Sequence, residues 1–330
     1  MKTIGITSFA AVALSLVSLV ACASRNSQFP DPLARLSMLT DQYPGDEGIS
    51  RDPAVVFAED FDQAPLTQIL GRFTNLKRPA SFSLIDDHPP ESSGHHALRI
   101  VSVGQESVGG TLYKRLSKNY DRLFLRYYIK YLTESSYHHT AAWIGGYHPP
   151  TDWPQGNAGL RPRGDDRFTV GAEPVDPSGR FDFYNYWMGM HGGPTDYWGN
   201  FLIHDPSLTI QRDRWMCVEV MVQMNDPVTA SNGELALWID GKMVSHLGPG
   251  YPAGTWRGGI FTSNGIGDPF EGFQWRSDPA LALNWFWLQH YSTRDPPGRV
   301  SSVLYDHVVL ATRHVGCLSA ATSRPAAAGM

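Results

Sequence analysis

Several signatures that would assign a chemistry at sight are missing from this chain. It has no serine-nucleophile motif, no phosphate-binding glycine loop, no Cys-x-x-Cys pair and no His-Glu-x-x-His helix. Hydrolase, nucleotide and zinc chemistry therefore have no motif support. Basic residues are not in excess either: 27 Lys and Arg against 32 Asp and Glu leave a formal charge of -5. That balance argues against a nucleic-acid partner, because phosphate recognition needs a concentrated basic field. From residue 54 onward no amphipathic helix of any length is written into the sequence, and no internal repeat precedes the Ala-rich end. Cysteine is scarce, with only Cys22, Cys217 and Cys317.

What the chain does have is 10 Trp, 14 Tyr, 32 Gly and 24 Pro in 330 residues, a turn-rich and aromatic-rich composition suited to short strands and sugar stacking. The apolar period is two. In RLFLRYYIKYL (122–132), Leu123, Leu125, Tyr127, Ile129 and Tyr131 form one face, and Arg122, Arg126, Tyr128 and Lys130 the other. WMCVEVMVQM (215–224) repeats this with Met216, Val218, Val220 and Val222 inward and Trp215, Glu219 and Gln223 outward. LALWIDGKMVSH (235–246) turns at Asp240-Gly241, a dipeptide that favours a type I′ hairpin. Further strands are expected at 55–61, 97–103, 167–173, 181–188, 283–291 and 302–311. The fold expected is all-β, a two-sheet antiparallel sandwich.

The N-terminus reads as a targeting segment. Lys2 precedes a mostly apolar run over 4–21, which ends in Leu19-Val20-Ala21-Cys22. That tetrapeptide resembles a bacterial lipobox, and it implies a lipid on Cys22, a membrane contact through that lipid and a cell-envelope location. The organisation expected is a signal peptide over 1–21, a tether over 22–50, the sandwich over 51–317 and a disordered tail over 318–330. In an oxidising compartment a Cys217–Cys317 disulfide is allowed, as is a buried free Cys217, and the sequence leaves the two open.

FDFYNYW (181–187) places Asp182, Tyr184 and Tyr186 in one phase and Phe181, Phe183 and Trp187 in the other. Around it lie Arg126 and Lys130 on one strand, His138 and His139 entering the next, and Arg161, Arg163 and Arg167 bounding the long segment 145–166. That segment, with Tyr147, Trp153 and several prolines, reads as an ordered functional loop. Tyr, His, Lys and Arg gathered in this way are the equipment for removing a proton beside a carboxylate. As consecutive residues of a strand, His138 and His139 would point to opposite faces, so only one is expected at the site. Candidate sugar contacts are Trp143, Trp153, Trp187 and Trp238, with His148 and His191 beside them. Glu59, Asp60 and Asp306 could offer oxygen ligands to a structural Ca²⁺ if the terminal strands lie together. A carboxylate pair of Glu219 with Asp182 or Glu234 keeps glycoside hydrolysis as a third reading.

In order along residues 50–316, the segments FAEDFD, LRYYIKY, HHTAAWIGGY, FYNYW, RWMCVEVMVQMN with GELALWIDGKMV, and YDHVVLATRHVG resemble the concanavalin A-like jelly-roll polysaccharide lyases, alginate and glucuronan lyases most nearly of polysaccharide lyase type 14. The resemblance implies acid and base roles for Tyr184 and Tyr186. The family carries a lysine in a Gly-rich strand before the tyrosines. AAWIGGY has Trp143 or a neighbour in that place, so the positive charge would come from His139, Lys130 or an arginine of the 161–167 segment.

These observations give an expected lipoprotein that cleaves a uronic-acid-containing polysaccharide by β-elimination, with a non-catalytic carbohydrate-binding lipoprotein as the alternative. The expected catalytic set is Tyr184, Tyr186, His139, Lys130 and Arg167. The expected substrate contacts are Arg126, Trp143, His148, Arg161, Arg163, Asp182 and His191. The partner is an anionic polysaccharide bound by a monomer, no cofactor is required, and a structural Ca²⁺ is the one metal considered.

Overall fold

The computed structural model describes residue 33 and residues 36–319, apart from 137, 154–156 and 194–195. The signal segment and Cys22 lie outside the described residues, as does the tail beyond 319. The chain divides into 1–36, of which residues 33 and 36 are described, and a compact unit from Ser37 onward. No described helix is long and apolar enough to cross a membrane.

In chain order the strands are β1 (Val55–Glu59), β2 (Asn75–Lys77), β3 (Phe82–Asp86), β4 (His96–Val103), β5 (Gly109–Tyr120), β6 (Arg122–Tyr131), β7 (Thr140–Tyr147), β8 (Arg167–Pro174), β9 (Phe181–Phe183), β10 (Trp215–Gln223), β11 (Glu234–Ile239), β12 (Lys242–Leu247), β13 (Ala253–Arg257), β14 (Ile260–Thr262), β15 (Asp268–Pro269), β16 (Leu283–Tyr291) and β17 (Val300–Ala311). A five-residue helix, α1 (Leu66–Leu70), interrupts them. One sheet runs β12-β11-β10-β6-β17-β4-β3, with β1 also paired to β17. The other runs β2-β5-β16-β7-β8-β9, and β14-β13-β15 form a small third sheet. The pairings are antiparallel, and the expected sandwich is what forms.

Period two decides which side chains meet between the sheets. Leu123, Leu125, Tyr127, Ile129 and Tyr131 of β6 pack with Met216, Val218, Val220 and Val222 of β10 against Ile144, Phe168, Val170, Phe183, Phe286 and Leu288 of the opposite sheet. Each fully buried aliphatic or aromatic side chain of this kind contributes about 1.5–3 kcal/mol.

The other face of the β6–β10 sheet, read from sequence as polar and wet, is covered. Residues from Ser37 to 50, expected to be part of a tether, pack there in short 3-10 turns with Leu39, Thr40 and Ile49 buried. Leu39 and Thr40 donate backbone hydrogen bonds to the His314 and Val315 carbonyls. The C-terminal segment also packs there: Leu318 is buried and its N–H donates to Tyr128 Oη. Cys217 and Cys317 form a disulfide across this layer, which closes the choice the sequence left open.

Candidate active site

The outer face of the β2–β9 sheet is lined by two adjoining cavities. Antiparallel register sets its rows: Trp287 of β16 stands opposite Tyr113 of β5 and Trp143 of β7, and Trp143 stands opposite Gly171 of β8. Along β8 the same face carries Arg167, Thr169, Gly171 and Glu173. A Cβ at Gly171 would lie 2.6 Å from the Trp143 ring, so this row needs glycine there. The floor is a chain of aromatic contacts in which Trp153 stacks on Trp287 at 5.9 Å, Trp287 meets Trp143 at 6.1 Å and Trp143 meets Tyr184 edge-on at 6.0 Å.

The stretch after β9 stays extended, although the regular strand stops at Phe183 rather than running to 188. Tyr184 N–H donates to the Gly171 carbonyl, and Tyr186 exchanges backbone hydrogen bonds with Thr169. The phase read from sequence holds: Phe181, Phe183 and Trp187 are buried in the core, and Tyr184 and Tyr186 present half-buried phenols to the cleft. Their hydroxyl oxygens are 3.4 Å apart. Burial, then the Tyr186 hydroxyl beside it, push the Tyr184 phenol well above its ordinary pKa.

His139 comes from the turn before β7, where it adopts a positive φ of 45°. Its ring centroid is 5.3 Å from that of Tyr184. Its Nδ1 is 3.0 Å from Oε1 of Glu173, a carboxylate almost sealed from solvent. Burial works against the charged imidazole, but Glu173 outweighs it and the His139 pKa is raised. Burial also raises Glu173, with His139 pulling the other way. With Nδ1 engaged, Nε2 is the nitrogen left to exchange a proton.

The expectation that His138 and His139 face opposite ways is corrected. They sit in a turn, where strand alternation does not apply, their rings lie 4.0 Å apart, and both line the same cavity. Two lobes meet at His139, Tyr184 and Trp198. One, of about 590 Å³, also has Glu173, Asp196 and Arg294 in its wall. The other, of about 740 Å³, has Lys77, Arg78, Trp143, Trp153 and Arg167.

Of the residues singled out from sequence, the cleft thus gathers Tyr184, Tyr186, His138, His139, Arg167, Trp143, Tyr147 and Trp153. Arg167 is largely buried there and tied to Asp166 Oδ2 at 2.5 Å and to the Leu160 carbonyl at 3.1 Å. The remainder lie elsewhere. Arg126 and Lys130 are on β6 in the opposite sheet: Arg126 is fully buried against Asp46 at 2.5 Å, and Lys130 pairs with Asp87 at 2.7 Å. Arg163 is exposed and pairs with Asp165 at 3.0 Å, while Arg161 lies over the Tyr197 ring and bonds the Met188 carbonyl. His148 is exposed beyond β7, and His191 stacks on Trp256 at 3.8 Å and pairs with Glu271 at 2.8 Å. Trp187 and Trp238 are buried and offer no sugar platform.

Asp182 is a structural carboxylate. It has no exposed surface, Oδ1 accepts the N–H groups of Phe183, Leu202 and Ile203, and Oδ2 accepts from His204 N–H and Arg180. The segment after Asn200 roofs its end of the tyrosine face. The hydrolase pairs fail for related reasons. Glu219 accepts the Val315 and Gly316 N–H groups under the C-terminal segment, and Glu234 pairs with His246 at 2.9 Å.

The terminal strands do pair, with Glu59 opposite Val308. Glu59, however, faces Arg72 at 2.5 Å and accepts the Phe61 N–H, Asp60 accepts from Asp62 N–H and Gln63, and Asp306 Oδ1 accepts the His307 N–H. Among the described residues no three His, Cys, Asp or Glu side chains are grouped to hold a metal ion.

Glu173, Lys77, Arg78 and Arg294 were missed. Lys77 ends a three-residue strand with no periodic signal and Arg78 follows it, and Glu173 could be found only by knowing that β7 and β8 are neighbours.

No family model matches the chain and no curated protein matches it. Solved structures share its fold. A variant of alginate lyase Aly36B in complex with an alginate tetrasaccharide has 15% identity and a TM-score of 0.52, over 80% of this chain and 99% of that one. An alginate lyase from Aplysia kurodai has 14% identity and a TM-score of 0.51, over 78% and 99%. Alginate lyase vAL-1 from Chlorella virus has 12% identity and a TM-score of 0.51, over 78% and 99%. The chain is therefore a jelly-roll β-sandwich of the architecture found in these lyases.

Proposed function

We propose that the protein is a polysaccharide lyase that cleaves a uronic-acid-containing glycan by β-elimination. The observation that carries this reading is the Tyr184–Tyr186 phenol pair beside the His139–Glu173 pair, in an open aromatic cleft with cations in its wall. Elimination needs three things: a neutralised uronate carboxylate, a base for the acidified ring proton and an acid for the departing glycosidic oxygen. Glu173 orients His139 and raises its basicity, so Nε2 takes the proton. Tyr184, whose phenol is held protonated, gives one to the leaving oxygen, with Tyr186 as its hydrogen-bond partner. Arg167, Lys77 and Arg78 are the cations that face the substrate carboxylate. The three solved-structure neighbours, each named as an alginate lyase, and the alginate tetrasaccharide bound to one of them support a glycan as the partner.

The cellular setting belongs to the same proposal. A signal peptide over 1–21 and a lipid on Cys22 would hold a monomer in the cell envelope, and the Cys217–Cys317 disulfide supports an oxidising compartment.

Incubation with alginate, glucuronan and glycosaminoglycans tests the chemistry. Elimination gives an unsaturated, ultraviolet-absorbing product, and new reducing ends without that absorbance would instead mean hydrolysis. One observation favours a second reading, carbohydrate binding without turnover: β7 offers the cleft Trp143 and no cation. Retention of polymer with no product of either kind would select it.

A further inference from the structure

The two lobes of the cleft differ in charge. Lys77, Arg78 and Arg167 line the larger one, where Arg167 is already bonded to Asp166 behind the wall, and no carboxylate is among the described residues of the wall itself. Lys77 lies 4.5 Å from the centroid of Trp153, so its ammonium is seated on the aromatic floor. In the smaller lobe the charges cancel: Glu173 is bonded to His139, and Asp196 stands in the same wall as Arg294. The undescribed internal residues 137, 154–156 and 194–195 are Tyr, Pro-Gln-Gly and Pro-Thr, and add no formal charge to either lobe. Trp198, 58% exposed, lies where the lobes meet and presents an apolar ring of the kind that stacks on a sugar face.

A polymer with a carboxylate on every ring would place repeated negative charge through both lobes, and in the smaller one it would meet no net positive charge. A carboxylate desolvated without an opposite net charge to meet it is rejected. We infer that the cleft selects a glycan in which uronates alternate with uncharged sugars, with a uronate in the Lys77–Arg78–Arg167 lobe and an uncharged ring between Asp196 and Arg294. This rests on the lyase reading above and narrows its substrate class.

The test compares hyaluronan, which alternates a uronate with an uncharged N-acetylated sugar, with polymannuronate, polyguluronate and glucuronan. Formation of ultraviolet-absorbing product on hyaluronan should be faster by at least about tenfold. Equal or faster cleavage of a homopolyuronate would overturn the inference and leave the lyase reading standing. Absence of product from every polymer would sink the lyase reading. Affinity electrophoresis of the same four polymers would then decide the inference: stronger retardation by hyaluronan supports it, while equal, weaker or no retardation overturns it. Asp196→Lys should narrow the preference between the two polymer classes, measured by whichever of these readouts responds, and an unchanged preference counts against the lobe assignment.

Discussion

His139 Nδ1 and Glu173 Oε1 are 3.0 Å apart, one contributed by the turn before β7 and the other by β8, the strand paired with β7. A buried carboxylate held against an imidazole is more than a packing detail, because it sets which nitrogen is free and how tightly that nitrogen holds a proton.

Glu173→Gln should therefore change the pH profile as well as the rate. In the native protein the His139 pKa is raised, so the free base, and with it the activity, is gained only as pH climbs above the ordinary histidine range. With Glu173 neutral, burial and then the Arg294 charge are left to act on His139, and both lower its pKa. The acidic limb of kcat/KM should move to lower pH while the rate on its plateau falls. A profile that keeps its acidic limb in place would remove His139 from the role of base.

Tyr184→Phe should lower kcat by about 10²–10⁴-fold, the usual worth of a positioned general acid, with the affinity for polymer retained. Tyr186→Phe should cost less, since that hydroxyl acts through Tyr184. Steady-state kinetics with a retardation assay on the same polymer separates the two. Full turnover in both variants would show that the phenol pair is not the site.

The sandwich was legible because period two persisted through β6, β10 and β11, and the tyrosine face because the Phe181, Phe183 and Trp187 phase is unambiguous. Arg126 and Glu219 misled because a strand face that looks polar is wet only if nothing covers it. Here residues from Ser37 to 50 and 312–319 cover it, and both charges became buried partners of Asp46 and of the Val315 and Gly316 N–H groups. The positive φ at His139 has no sequence signal, so strand alternation wrongly separated it from His138.

Reduction of Cys217–Cys317, or Cys317→Ser, should destabilise the fold by about 2–5 kcal/mol, because the bridge closes a loop with a sequence separation of 100 and pins the C-terminal cover to β10. Denaturant unfolding with and without reductant measures this. The tyrosine cleft lies on the other sheet, so activity at a temperature well below the transition should survive. Loss of activity without loss of stability would contradict this account of the bridge.

Stability should also fall in acid through a histidine outside the cleft. His290 is fully buried between the sheets, with its ring nitrogens 2.8 Å from Thr140 Oγ1 and 3.0 Å from Ser102 Oγ, and burial lowers its pKa from 6.5 to about 4. A depressed histidine favours folding while it is neutral, so its contribution is present above 6.5 and is lost as pH falls through that window toward about 4. The full swing is about 3 kcal/mol. His290→Gln stays neutral at every pH. Its Tm should be lower than that of the native protein near neutrality and should decline less steeply between pH 6.5 and 4. Parallel slopes in the two proteins would place the acid sensitivity in other groups.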